Sequence, residues 1–323
     1  MRSTCSLYID TGYLLASAAT RVTGTSLRSG IHVDYSALVG SLVAAAEARS
    51  GLPVLRVHWY DSAKNGVPDA QQERIGELSK VKLRLGRFGF NGEQKGVDLR
   101  IGLDLVTHAR NGASDVFFLV SGDDDLTEAV EEAQIHGVQV VVFAVPTVDG
   151  KPHGVSRHLI RAADDLVTID AETVDTAVLK VDRQPIPATP APSAVPAAAP
   201  RPTPLDLATM TPRPAAPRQA SVLAYSSSTG VPAHLVPAYA EDIDQDQLID
   251  EVVVRVLTSL LESATPNDRL ELERARPSVP RDVDRALLLD ASDALQIYDL
   301  DEPIRYRLRT RFWEKYDKGR APH

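Results

Sequence analysis

The residues best able to do chemistry in this sequence are aspartates. Asp10 closes the short apolar run Ser6-Leu7-Tyr8-Ile9, Asp98 follows Lys95-Gly96-Val97, and Ser121-Gly122-Asp123-Asp124-Asp125 follows the continuous apolar run Val116 to Val120. Carboxylates gathered at one point repel one another, and a fold tolerates the cluster mainly when a cation neutralises it. Oxygen-only ligands suit Mg2+ or Mn2+ rather than zinc. Two such cations about 4 Å apart can activate a water and stabilise the leaving oxygen in phosphodiester cleavage. That scheme needs no general-base histidine, and none stands in these motifs; His32, His136, His153 and His158 show no metal-ligand spacing.

Positioning these acids requires alternating strands and helices. Ser6 to Ile9 reads as a buried strand ending in a turn at Asp10 and Gly12. Asp34 caps a helix with apolar Leu38, Leu42, Val43 and Ala46, which Gly51 and Pro53 end. Pro53 to Tyr60 is rich in β-formers, so Trp59 and its neighbours are structural, and Lys80 to Leu85 alternates basic and apolar residues. After Gly96 comes a helix with Val97, Ile101, Leu105 and His108 along one side, with Asp98 in its first turn, where the dipole favours a negative charge. Strand Val116–Val120, helix Leu126–His136, strand Val138–Val145, helix Ser156–Ala163 and strand Leu166–Ile169 complete the pattern. The alternation predicts a three-layer α/β/α domain with a mostly parallel sheet. In such sheets the functional crevice lies at the carboxyl ends of the strands, where Asp10 and the Ser121–Asp125 loop both fall.

Composition divides the chain. Thirteen of its 22 prolines lie between Gln184 and Ala240, in a stretch with few bulky apolar side chains, which reads as a disordered Pro/Ala-rich linker over 181–240. It separates a domain at 1–180 from one at 241–323. Acids outnumber bases in both, 23 to 18 before Val181 and 19 to 13 from Glu241, and the formal net charge is −9. Neither part is a general polyanion binder, so nucleic-acid contact must rely on local patches. The single cysteine, Cys5, excludes a disulfide framework and a Cys-based zinc site. No stretch reaches the ~18 apolar residues of a membrane span, and Asp10 interrupts the start before it could serve as a signal-peptide core. The expectation is a soluble cytoplasmic protein.

The order Leu7-Tyr8-Ile9-Asp10, Lys95-Gly96-Val97-Asp98 and Phe118-Leu119-Val120-Ser121-Gly122-Asp123-Asp124-Asp125-Leu126 resembles the NYN domain of the PIN-like nucleases. Lys82-Leu83-Arg84-Leu85-Gly86 and Leu159-Ile160-Arg161-Ala162-Ala163-Asp164 also look like that family, so the resemblance runs from Ser6 to Asp170. It implies a metal-dependent ribonuclease whose ligands to Mg2+ or Mn2+ are Asp10, Asp98, Asp123 and Asp125, acting on single-stranded RNA. It also implies that the Ser121 hydroxyl lies near the metal water. Asp104 matches a recurrent family acid, but it lies about 120° around the helix from Asp98, which makes it a supporting group rather than a ligand. Asp124 is expected to face solvent or to cap the next helix. The sequence departs from the pattern at Tyr13, where the family usually has Asn, and a phenol cannot copy a carboxamide's paired donor and acceptor.

Lys82, Arg84 and Lys95 belong to a basic run before the Asp98 helix and are candidate phosphate contacts, though lysines on an edge strand also deter aggregation. Phe88 and Phe90 beside them suit base stacking or core packing. The carboxy-terminal part reads as a small all-α domain. A helix from Asp246 ends at Thr265-Pro266, a second begins near Val279-Pro280, and a third starts at Asp301-Glu302-Pro303. Arg305, Arg307, Arg309 and Arg311 spread around that last helix, where pairing with local acids is favoured over binding nucleic acid. This part could also mediate homo-oligomerisation or dock a protein partner. The alternative to a ribonuclease is a non-catalytic adaptor on the same fold that binds nucleic acid or protein. A nucleotide sensor ranks last, because no Gly-rich loop follows the first strand.

Overall fold

A computed structural model describes residues 3–88, 94–181, 245–297 and 300–319. In chain order the first part reads β1 (Cys5–Asp10), α1 (Thr11–Thr23), β2 (Ile31–Val33), α2 (Tyr35–Ser50), β3 (Val54–Ala63), α3 (Ala70–Gly76), β4 (Val81–Phe88), β5 (Gln94–Lys95), α4 (Val97–Arg110), β6 (Val116–Val120), α5 (Thr127–Ile135), β7 (Gln139–Ala144), α6 (Arg157–Ala162), β8 (Asp165–Thr168), α7 (Ala171–Ala177) and β9 (Val178–Lys180). The second part reads α8 (Gln245–Ser263), α9 (Pro266–Arg274), α10 (Arg281–Leu295) and α11 (Glu302–Lys318). The linker expected over 181–240 lies outside the described residues except for Val181.

The main sheet has the order β5-β4-β3-β1-β6-β7-β8. Strands β4, β3, β1, β6, β7 and β8 are parallel, and β5 returns antiparallel on β4. A strand's side chains alternate between faces, and the two faces here carry two cores. Leu7, Ile9, Trp59, Phe118, Val120 and Phe143 pack under α1, α2 and α7. Tyr8, Tyr60, Phe117, Leu119 and Val142 pack under α4, α5 and α6. Burial on both faces is why the central strands read as unbroken apolar runs. The three-layer α/β/α reading holds.

Two elements differ from the sequence reading for a shared reason. Asp10 does not lead into a turn; its carboxylate accepts from Gly12 N at 2.7 Å and caps α1, which starts at once. Likewise Thr265-Pro266 ends α8 but also opens α9, with Thr265 accepting from Asp268 N and Pro266 in the first helical turn. A capping residue followed by a breaker can start a helix as readily as it stops one.

Helices α8 to α11 gather around a third core that includes Ile249, Val253, Val256, Leu287, Leu308 and Phe312. Leu27, from the segment after α1, is fully buried in that core. Ser26 N donates to Asp290 Oδ1 of α10 at 3.0 Å. These helices and the sheet domain therefore form one compact unit. Burying one leucine side chain contributes about 2 kcal/mol. Of the four arginines of α11 expected to pair with acids, Arg307 pairs with Asp246, Arg309 with Asp284 and Arg311 with Asp250, while Arg305 donates to the Leu300 carbonyl. No helix among the described residues is long and apolar enough to cross a membrane.

Candidate active site

Strands β1 and β6 are neighbours in register, with Ile9 opposite Val120, so the residues that follow each strand emerge side by side. Asp10 emerges from one and Ser121 from the other. Ser121 is fully buried, and its hydroxyl donates to Asp10 Oδ2 at 3.4 Å and accepts from Asp123 N at 3.3 Å. Asp123 Oδ1 in turn accepts from Asp125 N at 3.1 Å, which folds the acidic loop into a short 3-10 turn. Gly122 is required at this bend, because a Cβ there would lie 1.9 Å from the Gly154 carbonyl oxygen.

Asp98 reaches the same place from the first turn of α4, which Gly96 begins in the left-handed region at φ 85°. Burial pushes its carboxyl up to about 6, and the negative charges of Asp10, Asp123 and Asp125 push in the same direction. Burial also raises the carboxyl of Asp10, against the pull of Arg285, Arg28 and the N–H groups of Tyr13 and Gly12. Asp10, Asp123 and Asp125 thus all bear on Asp98 at the carboxyl end of the sheet. As oxygen donors of like charge, the four suit a hard divalent cation in chemistry. Among the described residues, however, no three His, Cys, Asp or Glu side chains are drawn together tightly enough to hold one.

Two guanidinium groups stand beside Asp10 instead. A Cβ on Gly12 would meet Arg285 Nη2 at 2.8 Å, Asp10 Oδ1 at 2.8 Å and Arg28 Nη2 at 3.4 Å. Arg28 Nη2 donates to Gly12 O at 3.0 Å. Sequence reasoning missed both arginines. Arg28 lies in a loop without a motif, and Arg285 lies on α10, beyond the linker, so no spacing in the chain could have joined it to Asp10.

Other expected site residues lie elsewhere. Asp104 is held by Arg84, whose Nε and Nη2 donate to it at 2.7 and 2.5 Å, and by the Tyr60 hydroxyl at 2.8 Å. Burial pushes Asp104 up, but those hydrogen bonds outweigh it and hold the carboxyl below its ordinary value. Asp104, expected to support the site rather than to bind a cation, and Arg84, a candidate phosphate contact, thus hold each other. Beside them Tyr8 stacks on His58, and burial, with His108 nearby, pulls the His58 imidazole down to about 4, leaving it neutral in the core. Lys82 is exposed on β4. The side chains of Lys95 and Phe88, and all of Phe90, lie outside the described residues. Asp124 caps no helix; its side chain is partly exposed, accepts from the Ser156 hydroxyl and pairs with His158 at 3.1 Å.

Tyr13, at the position where Asn is usual, turns its phenol away from the carboxylates. Its hydroxyl donates to His153 O at 2.7 Å and accepts from Val145 N at 3.2 Å, while its ring lies behind Gly122. Only its backbone N–H serves Asp10. Tyr13 thus braces the loop after β7 against the bend that carries Asp123 and Asp125.

The family model of the NYN domain matches residues 5–170. An uncharacterized protein, y4oD, of Sinorhizobium fredii is 38% identical over 134 residues, which is 40% of this chain and 61% of the relative's length. The chain thus spans about three fifths of that curated relative. No solved structure matches. The matched span opens on β1 and closes just after β8, so it contains every strand of the main sheet and all four clustered aspartates. By sequence and by the sheet that carries those acids, the chain belongs to the NYN domain family, whose fold is nuclease-like and whose members are generally ribonucleases.

Proposed function

We propose that this protein is a metal-dependent ribonuclease in which Asp10, Asp98, Asp123 and Asp125 hold Mg2+ or Mn2+ and the substrate is single-stranded RNA. The observation that carries the reading is the link from Asp10 through the Ser121 hydroxyl to Asp123, with the charge of both raising the Asp98 carboxyl. A fold gains nothing in stability from confronting four carboxylates at a strand-end crevice, so their convergence points to a ligand that needs them. When bound, divalent cations supply a water activated for attack and stabilisation of the leaving oxygen. The protein's own part is positional. Asp10 is fixed by two backbone N–H groups, Asp123 by the bend at Gly122, and Asp98 by the first turn of α4. Lys82 remains a candidate phosphate contact at the rim, as does Lys95 from its position on β5. In this reading the chain is a nuclease domain at 1–180 and a helical part at 241–323 joined by the linker at 181–240, and it works in the cytoplasm.

The test is cleavage of labelled single-stranded RNA by the full chain with manganese. The product should disappear with chelator and in an Asp123→Asn variant that still folds. Cutting that persists in that variant would contradict the assignment.

A second reading, a non-catalytic NYN adaptor, draws on Arg28 and Arg285, which neutralise Asp10 without any metal. It expects RNA binding that survives chelator and yields no product at any metal concentration.

A further inference from the structure

We infer that Arg285, carried by α10 of the carboxy-terminal helices, and Arg28, carried by the loop they clamp, form a phosphate-binding pair that completes the carboxylate site. This rests on the nuclease reading above for the identity of the ligand as an RNA phosphodiester, but the geometry stands by itself. Both guanidinium ends approach one point above Gly12, at 2.8 and 3.4 Å, so they are no farther apart than those two distances together. Asp10 Oδ1 approaches the same point. A side chain at position 12 would displace one of these groups.

The arginines are placed by packing rather than by chance contact. Arg28 is fixed by the Gly12 carbonyl, and its neighbours Ser26 and Leu27 are fastened to α10 and buried in the helical core. Two like charges held this close in a half-buried place oppose each other. An anion between the two forks would relieve that repulsion, and guanidinium forks match the paired oxygens of a phosphate.

Charge balance points the same way. Four carboxylates by themselves repel a phosphodiester, which needs cationic partners beside them. Two arginines supply the balance, as cationic clamps on phosphoryl groups do elsewhere. Space is also present. A cavity of about 1070 Å³ runs from Arg28 and Arg285 between the sheet domain and α10, lined further by Arg74, Arg281 and Tyr35. Of the four acids along it, Asp34 and Asp69 cap α2 and α3, Asp61 accepts from Gln72, and Asp282 lies three residues before Arg285 on α10. The helical part is thereby a portion of the substrate site, not an appendage to it.

The test is binding of a short fluorescein-labelled oligouridylate to the full chain in calcium, followed by anisotropy, with cleavage and manganese calorimetry run in parallel. Arg285→Ala should weaken RNA binding about ten- to hundredfold, without weakening manganese binding. Arg309→Ala, which removes the same charge at the Asp284 pair, should leave RNA binding near wild type. Arg285→Lys keeps the charge without the fork and should bind at an intermediate level, and it decides the matter if the alanine variant does not fold. Binding by Arg285→Ala or Arg285→Lys equal to wild type would overturn the assignment. So would faster cleavage by Arg285→Ala, since the guanidinium would then be occupying the cation's place. A wild type that binds RNA through Arg285 yet releases no product in manganese would retire the nuclease reading and keep the phosphate pair. A wild type that binds no RNA would retire both.

Discussion

Ser121 Oγ stands 3.4 Å from Asp10 Oδ2 and bridges the ends of β1 and β6. Through it, two loops more than a hundred residues apart in the chain present their acids as one group. Ser121→Ala should cost the fold at most about 1 kcal/mol and lower manganese affinity about tenfold, because it loosens Asp10 and Asp123 without removing a ligand. Thermal unfolding and metal titration of the same variant separate the two effects. An unaltered metal affinity would show that the bridge does not position the acids.

Tyr13 should prove structural. Tyr13→Phe leaves the Val145 N–H and the His153 carbonyl without their partner, at a cost of about 1–3 kcal/mol in urea unfolding, while manganese affinity stays at the wild-type value. A variant with unchanged stability and lost metal binding would place the phenol in the site instead.

Much of this arrangement is legible in the sequence. The apolar runs Val116–Val120 and Val138–Val145 mark central strands because both faces are covered, and the Lys-Gly-Val-Asp and Ser-Gly-Asp-Asp-Asp motifs place three of the four acids. Local spacing does not reveal what depends on packing between distant segments. The pairing of Asp104 with Arg84 is decided by α4 lying over β4, so two residues that each suit a site on composition instead satisfy one another. The approach of Arg285 to Asp10 crosses the whole linker. The start of α1 at Thr11 escaped because a capping aspartate followed by glycine carries the same signal as a turn.

The Arg84–Asp104 pair gives a prediction of its own. Arg84→Ala should destabilise the protein by about 2 kcal/mol, because it strips a mostly buried carboxylate of its bidentate partner, while RNA affinity is unchanged. The pH dependence follows from the sign of the shift. A depressed carboxyl stabilises the fold above its unfolded value, and that stability is lost as pH falls through the still lower folded value. The variant's deficit should therefore narrow in acid, below about pH 4, in unfolding curves taken across that range.

Asp98 has the opposite sign. Its carboxyl is raised to about 6, so the folded protein holds a proton that the unfolded chain releases near its ordinary value of 3.8. Stability without metal should decline as pH rises from 4 towards 7, a decline that Asp98→Asn reduces, leaving the part due to the raised carboxyl of Asp10. A cation favours the ionised form, so manganese binding should strengthen with rising pH through 6 and release about one proton below it. Calorimetry at pH 5.5 in buffers of different ionisation heat measures that release. Binding enthalpies independent of buffer would count against a protonated Asp98.

Calorimetric titration of manganese into the wild-type chain and the Asp98→Asn variant shows whether these aspartates hold a cation. Saturable binding in the wild type, lost or weakened at least about tenfold in a variant that unfolds at the same temperature or higher, is the expected result. Equal binding by the two proteins, or no binding by either, would contradict a metal site built from these aspartates.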